Sequence, residues 1–300
     1  MHSLVPTLLA TAALAGFAVA APKEGQLTAM VWRSPPITCQ GCPEAVGRLL
    51  SASSQKFNVI YVGPNEKVKV TPKTLSEVDL FAYGGGPDVA KAWNELKDVG
   101  SAIKDFVANG GHYLGICLGA YLADNKPGLG MLPDGVEVKS EKDQPGAQVT
   151  DDRDTVIQVN WTFQFDSKNS KQGQTISDRW VYFQEGASFA GLSNVTNSNQ
   201  TIIVSRYSKT GNVAATLMPY RKGWVALSGI HPEASKSWYE SAKVKNPDGI
   251  KFDIAFDLVN AAVGDSKGTP GKDPDDSMGT RLAQRPLGLL VTVVVAYLLI

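Results

Sequence analysis

The segment Gly110 to Tyr121, GGHYLGICLGAY, constrains this chain more than any other. A short apolar run ends in a cysteine held between Gly115 and Gly119, the pattern of a buried strand that turns sharply into a helix. The two glycines remove the side chains that would collide where strand and helix nearly touch. Cys117 then stands at the carboxyl edge of a sheet, where the next helix's N-terminus favours the thiolate, the form that attacks carbonyl carbon. On these residues alone, a packed core cysteine after a strand is an equal reading.

Around this turn the chain alternates strands and helices. Leu27 to Trp32 is a continuous apolar run fit for a strand buried on both faces, Phe57 to Val62 is a second strand and Asp79 to Tyr83 the third. Helices are expected from Pro43 to about Ala52 and from Val89 to Asn109, where Gly110-Gly111 ends the second. Such alternation implies right-handed crossovers and a mainly parallel α/β sheet covered on both faces.

Beyond Gly128 the pattern changes to short strand-like runs at Val136 to Lys139, Thr155 to Trp161, Arg179 to Gln184, Thr201 to Tyr207, Val213 to Met218 and Gly223 to Ser228. These read as antiparallel additions to the same domain. Helices near Ser235 to Val244 and Ile250 to Val263 close it.

Both ends carry the marks of targeting signals. Residues 1–20 read as a secretory signal peptide, with an apolar stretch from Leu8 and cleavage after Ala18-Val19-Ala20. The domain then occupies residues 21–263 and a Gly, Lys, Asp and Pro-rich stalk residues 264–276. Leu287 to Ile300 is too short for the roughly 20 residues that span a bilayer. Preceded by the polar spacer Thr280 to Pro286 and by Ser277-Met278-Gly279, it reads as a glycolipid-anchor signal, 277–300, with Ser277 as attachment site. A marginal transmembrane tail is the alternative. A cell-surface, membrane-attached protein is therefore expected, and Asn160, Asn194 and Asn199 begin glycosylation sequons that belong at its surface.

Oxidising surroundings bear on the three cysteines. Cys39 and Cys42 form a C-x-x-C pair for which a local disulfide is expected, leaving Cys117 odd and open to reaction. The 29 basic residues match the 29 acidic ones and no basic stripe interleaves with aromatics, so a nucleic-acid partner is not expected. Neither a cofactor nor a metal is expected.

A cysteine nucleophile needs a base, and only three histidines are present. His2 leaves with the signal peptide. His112 begins the elbow strand and, at ~3.3 Å per residue, lies about 16 Å from Cys117. His231 ends a strand as Cys117 does, and Glu233 two residues on can orient its ring. Gly84-Gly85-Gly86 ends another strand, so Gly85 or Gly86, with the Leu118 N–H, can hold an oxyanion.

Gly115-Ile116-Cys117-Leu118-Gly119, the Gly-Gly-Pro turn and His231-Pro232-Glu233, in this order, resemble class I glutamine amidotransferases. Cys39-Gln40-Gly41-Cys42-Pro43-Glu44-Ala45-Val46, Gly85-Gly86-Pro87-Asp88, Trp180-Val181-Tyr182-Phe183 and Ser228-Gly229-Ile230-His231-Pro232-Glu233 more closely resemble the amidotransferase-like domain at the N-terminus of fungal biotin-protein ligases, which also occurs alone. The resemblance, over about Leu27 to Val263, implies a flavodoxin-like three-layer sandwich with a Cys-His-Glu triad. Amidotransferases continue the elbow with Gly-x-Gln, whereas this chain has Gly119-Ala120-Tyr121, so glutamine is a doubtful substrate. Without a Gly-Arg-Gly-rich biotin-activation segment, ligation of biotin is not expected. The residues thus point to a cysteine hydrolase of an amide or related acyl bond in a small molecule or peptide, with a catalytically silent binding module as the alternative.

The tail makes a direct prediction: a phospholipase that cuts glycolipid anchors releases the mature protein from cells, and its peptide map lacks Leu287 to Ile300. Recovery of the intact C-terminal peptide would refute the anchor.

Overall fold

The computed structural model describes residues 25–264 apart from Lys126 and residues 193–199. Eleven strands and six helices are placed among them. The first half runs β1 (Thr28–Trp32), α1 (Cys42–Ala52), β2 (Asn58–Val62), α2 (Pro72–Leu75), β3 (Leu80–Tyr83), α3 (Val89–Ala108), β4 (His112–Ile116) and α4 (Leu118–Tyr121). The second half adds β5 (Glu137–Ser140), β6 (Thr155–Thr162), β7 (Thr175–Phe183), β8 (Ala187–Ala190), β9 (Ile202–Tyr207), β10 (Val213–Tyr220), β11 (Gly223–Ser228), α5 (Lys236–Ala242) and α6 (Asp253–Val263).

Nine strands form one sheet in the order β2-β1-β3-β4-β11-β10-β9-β6-β7. The first five are parallel, with β11 in register against β4 from Trp224 opposite His112 to Ser228 opposite Ile116. This is the flavodoxin-like 2-1-3-4-5 order, with β11 as fifth strand although it is eleventh in the chain. From β11 outward every pair is antiparallel, as the change of rhythm beyond Gly128 predicts. One expectation is refined: the Val136 to Lys139 run leaves the main sheet and, as β5, pairs with β8 in a separate ribbon.

Helices cover both faces. Along α3 the buried residues Ala92, Leu96, Gly100, Ile103 and Val107 recur at helical spacing, and Asp88 caps the helix by accepting the Lys91 N–H at 2.9 Å. That stripe packs with Phe81 and Tyr113 on one face, while α1 and α6 share the other with Ala29, Val31 and Leu114. The β1 segment is buried along its whole length, as a central parallel strand must be.

Two contacts hold the halves in place. At the elbow, a Cβ on Gly119 would lie 2.1 Å from the Tyr83 carbonyl oxygen, and one on Gly115 would lie 2.5 Å from the Gly119 carbonyl oxygen. The Gly119 N–H donates to the Gly84 carbonyl at 3.1 Å, and Tyr113 Oη donates to the Gly119 carbonyl at 2.7 Å. Farther along, the Asp257 carboxylate of α6 accepts from Trp161 Nε1 at 2.9 Å and from the Gln164 and Phe165 N–H groups at 3.0 and 3.1 Å, tying α6 to the end of β6.

Gly119→Ala is expected to cost about 3 kcal/mol, because fixed backbone lies on the far side of the contact, measured as a lower denaturant midpoint. A midpoint unchanged from wild type would mean that the turn is not this tight. Burial raises the Asp257 carboxyl to a pKa of about 6 despite its hydrogen bonds. A carboxyl raised in the folded state stabilises fully below its unfolded pKa and loses that contribution as pH rises through the folded one. Between about pH 4 and 6.5, wild type should therefore lose about 2 kcal/mol relative to Asp257→Asn in urea unfolding. Parallel pH profiles would refute the shift.

Candidate active site

The parallel strands β1, β3, β4 and β11 all end at one edge, so the loops that follow them meet there. A cleft of about 1450 Å³ opens at this edge, and Cys117, Leu118, Gly86, His231, Cys39 and Trp238 are among its lining residues.

Cys117 occupies the turn between β4 and α4 with φ 53° and ψ −107°, backbone that a non-glycine residue adopts at a cost of ~1–3 kcal/mol. Its N–H donates to the Ser228 carbonyl at 2.8 Å, and its carbonyl accepts the Ala120 N–H at 2.9 Å, so both sides of the strained residue are fixed. The side chain is mostly covered, at 7% exposure, and Sγ lies 3.8 Å from the Gln184 carbonyl oxygen. Cys117 is a free thiol.

His231 follows β11 and is pinned through its own backbone, whose N–H donates to the Tyr182 carbonyl at 3.0 Å. The ring packs edge-on against Trp238 and Tyr182, with centroids 5.3 and 6.1 Å away. Nδ1 meets Glu233 Oε1 at 2.8 Å, and both side chains are buried. Burial disfavours the imidazolium, but the Glu233 carboxylate, followed by the charge of Cys117 and a hydrogen bond to it, outweighs that cost and holds the His231 pKa well above its usual value. Glu233 Oε2 is buried without a hydrogen-bond partner among the described residues. The structure thus brings together Cys117, His231 and Glu233, drawn from β4 and the end of β11.

The glycine run after β3 divides its tasks. A Cβ on Gly86 would lie 2.4 Å from both the Ile37 carbonyl oxygen and Leu118 Cδ2, so only glycine fits this part of the wall. Leu118, as first residue of α4, has an N–H that the helix itself does not use. Gly85 is absent from the cleft lining; its carbonyl accepts the Cys39 N–H at 3.1 Å, and its bare α-carbon gives clearance to His231 and the cysteine pair.

Cys39 and Cys42 are bridged, with Cα atoms 5.4 Å apart, and both line the cleft. Arg33 on the same wall pairs with Glu66 at 2.7 Å and Glu44 at 3.2 Å. Lys142 pairs with Glu185 at 2.6 Å and with Asp152. Among the described residues no cluster of three or more His, Cys, Asp or Glu side chains could hold a metal ion.

His112 stands at the start of β4, away from the cleft lining, and burial lowers its pKa. Asn160 lies half-buried within β6, where its side-chain oxygen accepts from the Asp178 N–H at 3.0 Å. Asn194, Asn199, Ser277, residues 1–20, expected to be a signal peptide, and residues 265–300 lie outside the described residues. Trp238, the Gln184 carbonyl and the Tyr121 hydroxyl, which donates to the Glu185 carbonyl at 3.0 Å, escaped the residue-by-residue reading. No local motif marks Trp238 or Gln184; Tyr121 was visible only as a substitution in the amidotransferase pattern.

The sequence model of the biotin-protein ligase N-terminal family matches residues 27–145. A biotin–protein ligase of Schizosaccharomyces pombe is 28% identical over 168 residues, which are 52% of this chain and 26% of that protein. The chain therefore spans about a quarter of the relative's length. Among solved structures, a cytoplasmic protein of Salmonella typhimurium LT2 aligns with TM-score 0.43 at 14% identity, over 72% of this chain and 86% of the other. A ThuA-like protein from Bacteroides uniformis aligns with TM-score 0.46 at 11% identity, over 83% and 94%. In the part of the chain that holds β1 to β4 and the Cys117 elbow, this protein is similar to the biotin-protein ligase N-terminal family.

Proposed function

We propose that the chain is a cell-surface cysteine hydrolase of an amide or related acyl bond. The observation that carries this reading is the position of His231, held by Glu233 on one ring nitrogen and lining the same open cleft as Cys117. The Cys117 thiolate attacks the carbonyl carbon, and the N–H groups of Gly86 and Leu118 receive the developing oxyanion. His231 then gives its proton to the leaving nitrogen or oxygen. In the second half His231 takes a proton from water, the hydroxide attacks the thioester, and the acid departs as the Cys117 thiolate re-forms. Glu233 keeps the ring oriented and offsets its charge throughout.

The cleft's volume admits a small molecule or a short peptide, and Tyr121 stands where amidotransferases carry the glutamine of Gly-x-Gln. That replacement supports a substrate other than glutamine. It equally suits the second reading, a silent module that binds at the same rim. Attachment to the membrane through Ser277 belongs to this proposal and accords with a bridged Cys39–Cys42 pair.

Iodoacetamide separates the two readings. Native Cys117 should be alkylated about tenfold faster than a model thiol at pH 7, and His231→Ala should remove most of that advantage. A Cys117 inert until the chain is unfolded would overturn the enzyme reading and leave the binding module.

A further inference from the structure

The Cys39–Cys42 bridge is poorly explained as a structural brace. It encloses only two residues, and the stabilisation a bridge gives by chain entropy grows with the loop it closes. The backbone there is already held: Ile37 and Thr38 N–H groups donate to the Ser34 carbonyl at 2.7 and 2.9 Å, Cys39 N–H to Gly85, and Cys42 N–H to the Cys39 carbonyl at 3.1 Å.

Its placement is specific in two ways. First, the two sulfurs differ in access: Cys39 is half-buried on the cleft wall, whereas Cys42 is fully buried as the first residue of α1. Second, the bridge faces the catalytic ring across a side-chain-free gap. The point where a Gly85 Cβ would stand is 2.9 Å from His231 Cε1, 3.1 Å from Cys42 Sγ and 3.3 Å from Cys39 Sγ. Only glycine at position 85 lets the ring and the bridge approach in this way.

We infer that the Cys39–Cys42 bridge is a second reactive site of the cleft, opened by low-molecular-weight thiols that attack Cys39 and expel Cys42. A thiolate arriving through the cleft forms a bond to Cys39 Sγ with its own electron pair. The Cys39–Cys42 bond breaks, and its electron pair remains on Cys42 Sγ as a thiolate; one disulfide replaces another with no net oxidation. A second molecule of the same thiol can then attack the mixed disulfide at its own sulfur, leaving as a symmetrical disulfide and freeing Cys39 as a thiolate. The departing Cys42 sulfur is buried, which disfavours its charge, but it has the positive end of α1 and the His231 ring beside it. Lysines at the cleft mouth do not substitute for this, since Lys142 is engaged by Glu185 and Asp152.

Opening the bridge also acts on Cys117, a consequence that rests on the function proposed above. Two thiolates would then share one imidazolium, so the nucleophile loses part of its counter-charge.

The test uses the folded, oxidised, full-length protein with reduced glutathione as probe, at neutral pH without denaturant, trapped with N-ethylmaleimide and mapped by peptide mass. Glutathione is expected on Cys39 and maleimide on Cys42, both in wild type and in Cys117→Ser. His231→Gln is expected to slow the adduct by about fivefold or more through loss of the adjacent cation. A bridge that resists glutathione until urea unfolds the chain, or glutathione found on Cys42 instead of Cys39, would overturn the inference. Since the Cys39 adduct must form in Cys117→Ser as well as in wild type, whatever its rate, the result does not depend on whether Cys117 is a nucleophile. An inert Cys117 with a reactive bridge would sink only the hydrolase reading, and the converse only this one. If His231→Gln fails to fold, the position of the adduct in the other two proteins still decides.

Discussion

The site depends on a backbone contact in which no side chain can take part. Gly119 touches the Tyr83 carbonyl closely enough that a methyl group would overlap it, and the Gly119 N–H donates to Gly84 next to that carbonyl. The contact locks the end of β3 to the start of α4. It thereby sets the distance between the glycine run and Cys117, from which both the strained φ of the cysteine and the space at Gly86 follow. Strain of this kind persists only where the surroundings over-determine it, and here hydrogen bonds hold the residue on both sides.

Electrostatics at the site follow the same economy of placement. A buried imidazolium is unfavourable by itself, and the neighbouring Glu233 carboxylate and Cys117 shift the His231 pKa upward against that cost. Glu233 keeps one buried oxygen without a hydrogen-bond partner among the described residues, a desolvation that packing alone would not favour.

The two halves of the sheet contribute different things. The parallel half supplies Cys117, the glycine wall and the cysteine bridge, because parallel strands deliver their following loops to one edge. The antiparallel extension supplies no reacting group, yet Tyr182 of β7 accepts the His231 N–H, and the Gln184 carbonyl just beyond β7 lies beside Cys117 Sγ. His231 is thus positioned by a strand at the far edge of the sheet order, which reaches the site through an isolated bridge between Tyr182 and His231.

Local pattern was enough to read much of this. Continuous apolar runs mark β1, β3 and β4, helical spacing marks α3, and the glycine-flanked Cys117 announces its turn, since each is set by residues close together in the chain. His231 could be reached by elimination, because so few bases exist. The sequence did not reveal β8, whose ASFA run is short, or that β5 pairs with it outside the main sheet. It did not indicate that Trp238 and Tyr182 wall in the base, or that Gly85 separates His231 from the bridge rather than lining the cleft. Those facts concern pairs of residues far apart in the chain, and no periodicity records them. They were decided only when β11 inserted beside β4, because that one pairing carries His231 to the edge where Cys117 already stood.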